Sequence, residues 1–184
     1  VLSFPDTKAF WAAKPVRCII GFVVLLPMWK ALVFVRETDL ISAPEWGGLW
    51  VILYMLLMVW AADIGAYFSG KAWGKAKLAP KVSPGKSWAG AWGGVASTVI
   101  LALVAAYILE LSSLLTIQLI VITVITAVIS ILGDLTESMF KRHRGIKDSS
   151  QLLPGHGGIL DRIDSLAAAI PVFVCLLLVL GWVA

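Results

Sequence analysis

Charged residues are scarce in this chain, and cysteine and histidine are almost absent. Only 14% of the 184 residues are Asp, Glu, Lys or Arg, whereas soluble domains carry roughly 25%. With 60% apolar residues and a mean hydropathy of +0.93, the composition excludes a soluble globular fold. The two cysteines and two histidines are widely separated, which excludes a disulfide framework and a zinc site. The net charge of +4 is too small and scattered for a nucleic-acid partner.

Apolar residues instead form five blocks long enough to cross a bilayer, which takes roughly 20 helical residues. The blocks lack the alternation of barrel strands, so they predict an all-α polytopic membrane protein with about five transmembrane helices in a single membrane domain. We expect these helices at about residues 16–35, 46–62, 90–109, 114–132 and 166–184, with loops at about 63–89 and 133–165. The chain starts at Val1 without a signal-peptide pattern, so we expect a piece of a longer protein.

The positions of Lys and Arg predict which side of the membrane each loop faces. Thirteen of the fifteen lie before or at the start of the first segment or in the two predicted loops, and all of these regions share one face. The exceptions are Lys30 and Arg36. By the positive-inside rule the face with the cations is cytoplasmic, which predicts a multi-pass protein of the cytoplasmic (inner) membrane.

Acidic residues gather at the cytoplasmic ends of the predicted helices. A carboxylate at this membrane boundary needs a partner or a function. Asp63 ends the second segment, Asp134 ends the fourth, and Asp161 and Asp164 begin the fifth. Carboxylate oxygens without a His or Cys cluster suit Mg²⁺, and nearby Lys and Arg suit phosphate groups. The alternatives are structural ion pairs and, for the last two residues, capping of a helix start. The sequence therefore predicts a polar site on the cytoplasmic side.

The stretch from Ser138 to Asp164 combines hydroxyl, basic, glycine and acidic residues. Its pattern is S-x-x-K-R-x-x-x-x-K-D, then P-G-H-G-G, then D-R-x-D. If the fourth segment continues as a helix, Asp134, Ser138 and Lys141 share one of its faces. The glycines of residues 154–158 allow the backbone to pass close to a bound group. These features together predict a site for a metal ion and phosphate groups.

This pattern resembles the signature of the phosphatidate cytidylyltransferases, the CDP-diacylglycerol synthases, and the chain resembles the C-terminal portion of a bacterial member. A second resemblance runs through Asp63, Tyr67, Gly70 and residues 77–87. The family transfers a cytidylyl group from CTP to phosphatidic acid, giving CDP-diacylglycerol and pyrophosphate, and requires Mg²⁺. The resemblance therefore implies an enzyme of phospholipid biosynthesis that acts among membrane lipids.

The resemblance also implies roles for individual residues. Asp134 and Asp161 are the first candidates for metal ligands, and Asp164 and Asp63 are second choices. The candidate catalytic residues are Asp134, Ser138, Lys141, Arg142 and Asp161, and the candidate substrate-binding residues are Ser83, Lys86, Lys147, Asp148, His156 and Arg162. The sequence leaves open whether a second metal ion or a monovalent cation binds, and whether the phosphates bound by Lys141 and Arg142 belong to the lipid or the nucleotide.

Other functions also fit parts of the sequence. A CTP-dependent lipid kinase acting on a polyprenol-type alcohol would transfer the γ-phosphate and release CDP. An ion-coupled transporter would explain ionisable residues in a membrane protein, although the centres of the fourth and fifth segments carry no charge.

A pair of glycines begins the third segment. Gly90 and Gly94 have the spacing that permits a close crossing of two membrane helices. Such a crossing would lie either within one protomer or between the two protomers of a homodimer.

Overall fold

The computed structural model describes residues 13–38, 47–152, 154–155 and 157–183. These residues form α1 (Lys14–Glu37), α2 (Gly48–Trp73), β1 (Lys77–Ala79), β2 (Ser83–Ser87), α3 (Trp88–Ile108), α4 (Ser113–His143) and α5 (Leu160–Val179). The two short strands pair as an antiparallel hairpin between α2 and α3. All five helices are long and apolar enough to cross a membrane, which confirms the predicted all-α polytopic membrane fold.

Three helices reach into the regions that the sequence predicts to be loops. Residues 63–73 belong to α2, residues 133–143 belong to α4, and α5 begins at Leu160. The added turns are helical because α2 packs against α3, and α4 against α5, at this end of the molecule. Residues 46 and 184, which bound two of the predicted segments, lie outside the described residues. Most of the predicted polar site is therefore carried by helices.

Small residues allow α2 and α3 to cross closely. A Cβ atom added to Gly94 would lie 2.8 Å from the carbonyl oxygen of Ala62, and one added to Gly90 would lie 3.0 Å from that of Ala66. Any larger side chain at either position would push the two helices apart. The close crossing predicted for Gly90 and Gly94 thus occurs within the chain.

A similar close approach joins α4 and α5 next to Asp134. A Cβ atom added to Gly133 would lie 2.6 Å from the Cβ atom of Ala168 and 3.2 Å from the carbonyl oxygen of Asp164. The absence of a side chain at Gly133 therefore brings acidic residues of α4 and α5 to the same depth.

The apolar core fills the bundle away from these acidic residues. Its most deeply buried large side chains include Met55, Met58, Ile122 and Phe173. A hydrogen bond of 2.6 Å between the hydroxyl groups of Tyr54 and Thr123 links α2 to α4 within this region. The core thus holds the helices together, while the charged groups of the site collect at one end.

Candidate active site

A cavity of about 220 Å³ lies at the end of the bundle, between the hairpin and helices α2, α3, α4 and α5. Asp63 of α2, Lys86 of β2 and Asp134 of α4 line it, together with Ser130 and Ser165. Segments that are far apart in the sequence thus contribute carboxylate, ammonium and hydroxyl groups to one space.

Asp134 is engaged through both of its carboxylate oxygens. Oδ2 forms an ion pair with Nζ of Lys86 at 2.5 Å, and each of the two side chains is 26% exposed. Oδ1 accepts a hydrogen bond of 3.2 Å from the hydroxyl of Ser138, which lies one helical turn further along α4. These two contacts fix the orientation of the Asp134 carboxylate at the cavity.

Negative charge exceeds positive charge around the cavity. The carboxylates of Asp134 and Asp164 and the ammonium group of Lys86 all lie close enough to Asp63 to interact with it electrostatically. Asp63 and Asp134 therefore share Lys86, whereas Asp164 also interacts with Lys141. A divalent cation would offset the negative charge that Lys86 leaves at the cavity.

The oxygen donors at the cavity suit Mg²⁺. In the described part of the chain, no three His, Cys, Asp or Glu side chains lie close enough together to hold a metal ion by themselves. Mg²⁺ commonly binds through one or two carboxylates together with substrate phosphates, so it does not need such a preformed group. Asp63 and Asp134, which line the same cavity, meet this requirement.

Asp161 anchors the loop between α4 and α5. Its Oδ1 accepts a hydrogen bond of 2.9 Å from Nζ of Lys141, and both of its oxygens accept from the backbone N–H of Ser149. Oδ2 also accepts from the backbone N–H of Gly158 at 2.7 Å, and the side chain is only 6% exposed. Protein donors thus engage both oxygens and fix the loop against α4; the metal-binding role of Asp161 stays a prediction from the sequence.

Glu137 is a site residue that the sequence analysis does not single out. It lies on α4, 3.6 Å from Nζ of Lys141 and in contact with Asp164 of α5. Both of its carboxylate oxygens are buried, and no donor in the described residues forms a hydrogen bond with them. Two carboxyl groups in contact require a shared proton or a cation. The available signal in the sequence was the spacing of three residues from Asp134 and four from Lys141.

Arg142 holds the hairpin against α4. Its Nε donates a hydrogen bond of 3.3 Å to the carbonyl oxygen of Val82, and its Nη1 donates one of 3.4 Å to that of Ile146. The side chain of Val82, in the turn between the two strands, is buried. The arginine predicted to bind phosphate therefore positions the hairpin that carries Lys86.

The first turn of α3 forms another wall of the cavity. The hydroxyl of Ser87 accepts a hydrogen bond of 3.1 Å from the backbone N–H of Gly90 and caps this helix start. Gly85, Lys86, Ser87 and Gly90 all line the cavity. Because the start of a helix favours negative charge, this wall and the adjacent lysine suit phosphate groups.

The remaining predicted site residues do not line the cavity. Ser83 is half-buried at the start of β2, and Lys147 and Asp148 are exposed after α4. Arg162 is exposed in the first turn of α5. His156 lies outside the described residues.

Known proteins resemble this chain over most of its length. The sequence model of the cytidylyltransferase family matches residues 8–180. The phosphatidate cytidylyltransferase of Pseudomonas aeruginosa is 48% identical over 182 residues, which are 99% of this chain and 65% of that protein. That of Haemophilus influenzae is 48% identical over 181 residues, 94% of this chain and 61% of that protein. The chain therefore spans less than two thirds of the length of these curated relatives.

A solved structure has a similar helix arrangement. It is described as that of an intramembrane enzyme for archaeal membrane lipid biosynthesis. The TM-score is 0.52 at 22% sequence identity, over 70% of this chain and 78% of that chain. At this identity the likeness is one of fold alone.

Proposed function

Because the chain belongs to the cytidylyltransferase family, we propose that it transfers a cytidylyl group from CTP to phosphatidic acid, giving CDP-diacylglycerol and pyrophosphate. The observation that carries this proposal is the cavity where Asp63, Asp134 and Lys86 meet at the end of a membrane-spanning bundle. A lipid head group and a water-soluble nucleotide both have access to that depth. The names of the relatives from Pseudomonas aeruginosa and Haemophilus influenzae support the same reaction.

The proposed reaction needs charge neutralisation more than a general base. A phosphate oxygen of phosphatidic acid attacks the α-phosphorus of CTP, and a new P–O bond forms. The bond from the α-phosphorus to the bridging oxygen breaks, and its electron pair leaves with pyrophosphate. The second pKa of a phosphomonoester is about 6, so the attacking group is already an anion at neutral pH. Repulsion between two anions is then the main obstacle, and positive charges at the site reduce it.

The cavity supplies groups for each part of this task. Lys86 and the first turn of α3 bind phosphate oxygens of the substrates. We assign Mg²⁺ binding to Asp134 and Asp63, which line the cavity, in place of the pair of Asp134 and Asp161 predicted from the sequence. Bound Mg²⁺ would neutralise and polarise the phosphates. Ser138 orients Asp134 through its hydrogen bond.

We also place the site on the cytoplasmic side of the cytoplasmic membrane. The cavity lies at the end of the bundle where thirteen of the fifteen Lys and Arg residues gather in the sequence. That side is also where soluble CTP is available.

Analysis of the labelled products tests the proposed reaction. Purified protein in detergent micelles is given phosphatidic acid, Mg²⁺, and CTP labelled at either the α- or the γ-phosphate. We expect the α-label in the lipid and the γ-label in pyrophosphate. Transfer of the γ-label to an added polyprenol, with release of CDP, would instead identify a lipid kinase and contradict the proposal.

Substitution of the aspartates tests the metal assignment. We expect Asp134→Asn to lower both the rate and the affinity for Mn²⁺, measured by electron paramagnetic resonance, by at least about tenfold. Glu110→Gln, at the opposite end of the bundle, is the matched control and should change neither quantity. We expect Asp161→Asn to lower the thermal midpoint and leave Mn²⁺ binding intact. Loss of Mn²⁺ binding in Asp161→Asn, with no loss in Asp134→Asn, would overturn our assignment.

A further inference from the structure

Exposed basic and aromatic side chains surround the cavity on the outer faces of α2, the hairpin and α3. We call this region the hairpin surface; it consists of Tyr67, Phe68, Lys71, Trp73, Lys75, Lys77, Lys81, Trp88 and Trp92. Residues 64–109 of the sequence contain no Asp or Glu. The charge of the hairpin surface is therefore of one sign, and its lysines have no acidic neighbour within this part of the sequence.

The hairpin surface is continuous with the cavity. Tyr67 lines the cavity, although its side chain is mostly exposed. Nζ of Lys71 lies 5.9 Å from the centre of the Tyr67 ring, and the Phe68 ring lies 5.4 Å from it in an edge-on arrangement. A cation and a second aromatic ring thus adjoin a residue that lines the cavity, so a molecule bound to them would lie next to the site.

The hairpin surface also lies at the depth of the lipid head groups. The hairpin joins the ends of two membrane-spanning helices, so it is located at the membrane boundary. Trp73 and Trp88, the residues that end α2 and begin α3, are 73% and 52% exposed. Exposed tryptophans at helix ends are typical of the head-group region, where lysine side chains reach the phosphates.

We propose that the hairpin surface binds the anionic head groups of bilayer phospholipids and keeps negatively charged lipids beside the cavity. Positive charge complements the lipid phosphates, and the exposed aromatic rings match the boundary between head groups and acyl chains. A soluble polyanion would use the lysines but offers no apolar part for the rings. Each lysine near an anionic membrane surface strengthens the attraction about fivefold.

Lipid retention measures this binding without any turnover. The protein is reconstituted in an equimolar mixture of phosphatidylglycerol and phosphatidylcholine, extracted, and examined by native mass spectrometry for the lipids that stay bound. Phosphatidylglycerol is not a substrate of the proposed reaction, so failure of that reaction would leave this measurement unaffected. We expect the bound lipids to be enriched in phosphatidylglycerol over phosphatidylcholine. This enrichment should disappear when the salt concentration is raised, and no variant is needed to observe it.

Two double variants with equal charge changes provide the comparison. We expect Lys77→Gln with Lys81→Gln to lower the enrichment at least about fivefold. Lys30→Gln with Arg36→Gln, which removes two exposed cations of α1, should leave the enrichment unchanged. Equal thermal midpoints show that both variants are folded.

Three results would overturn the proposal. The first is unchanged enrichment in the hairpin variant, and the second is an equal loss in both double variants. The third is displacement of phosphatidylglycerol by inorganic triphosphate at an ionic strength at which sodium chloride leaves the enrichment intact, which would identify a surface for soluble polyanions instead.

Discussion

The ion pair between Lys86 and Asp134 makes the hairpin part of the site. Lys86 is carried by a short strand that has little support of its own, and Arg142 holds the turn before that strand against α4. The pair therefore depends on contacts from two distant parts of the chain. Loss of the lysine would leave Asp134 without its cation and the proposed phosphate wall without a positive side chain.

We predict that Lys86→Met raises the KM for CTP by about ten- to hundredfold, because a charge-assisted hydrogen bond contributes roughly 1.5–3 kcal/mol. Lys86→Arg keeps the positive charge and should recover most of the affinity. Steady-state kinetics with varied CTP and saturating phosphatidic acid measures both effects. An unchanged KM in the methionine variant would mean that Lys86 contacts only Asp134.

For Glu137 we expect a gain in stability on substitution. Its buried carboxylate oxygens form no hydrogen bond within the described residues. Glu137→Gln keeps the size of the side chain and gives Asp164 an N–H donor. We predict a rise of about 2–4 °C in the thermal midpoint in detergent without divalent cations, since satisfying a buried polar group contributes about 1 kcal/mol or more. Glu110→Gln, an exposed control, should leave the midpoint unchanged. A fall in the midpoint would show that the Glu137 carboxyl group itself stabilises the site.

Among the elements, α4 and α5 position the acidic residues, and Gly133 controls how closely they pack. A methyl group at this position would meet Ala168 and the backbone of Asp164. We predict that Gly133→Ala destabilises the protein by about 1–3 kcal/mol, as overpacking does in other cores, and lowers activity by moving Asp164 away from Asp134.

Gly21 offers a matched control in α1. A Cβ atom added there meets nothing within 4 Å. Gly21→Ala should therefore leave activity unchanged and add about 0.5–1 kcal/mol of stability, since alanine favours a helix more than glycine does. Thermal unfolding in detergent and the lipid product assay measure both variants. Equal stability and equal activity of Gly133→Ala and Gly21→Ala would show that the close contact at Gly133 is unimportant.

The sequence predicts the helices well because each apolar run is long enough to cross a bilayer. It does not predict the polar turns of α2 and α4 at residues 63–73 and 133–143, which are helical because neighbouring helices pack against them. The contacts of Asp161 are equally absent from the sequence pattern. Its spacing from Asp164 indicates a shared helix face, but its hydrogen-bond donors are the side chain of Lys141 and backbone groups of Ser149 and Gly158. Such contacts depend on tertiary structure, which spacing in one sequence does not show.

Across the whole molecule, charge is concentrated at one end of the bundle. The cavity, the hairpin surface and the loop after α4 share that end, whereas the opposite end has Arg36 and Glu110 at the ends of α1 and α3. By the positive-inside rule, this asymmetry predicts that the end with the cavity faces the cytoplasm. The same charged residues would thus determine both the predicted orientation and the access of the proposed substrates.

Labelling of single cysteines tests this orientation. In a background with Cys18→Ser and Cys175→Ala, we would introduce either Lys75→Cys, before the hairpin, or Glu110→Cys, at the turn between α3 and α4. We predict that a membrane-impermeant maleimide labels the Glu110→Cys protein in intact cells and the Lys75→Cys protein only after permeabilisation. Both positions are exposed, so a difference in labelling reports the side of the membrane and not burial. The reverse pattern would place the acidic cavity outside the cytoplasm, away from CTP, and would contradict both the orientation and the proposed reaction.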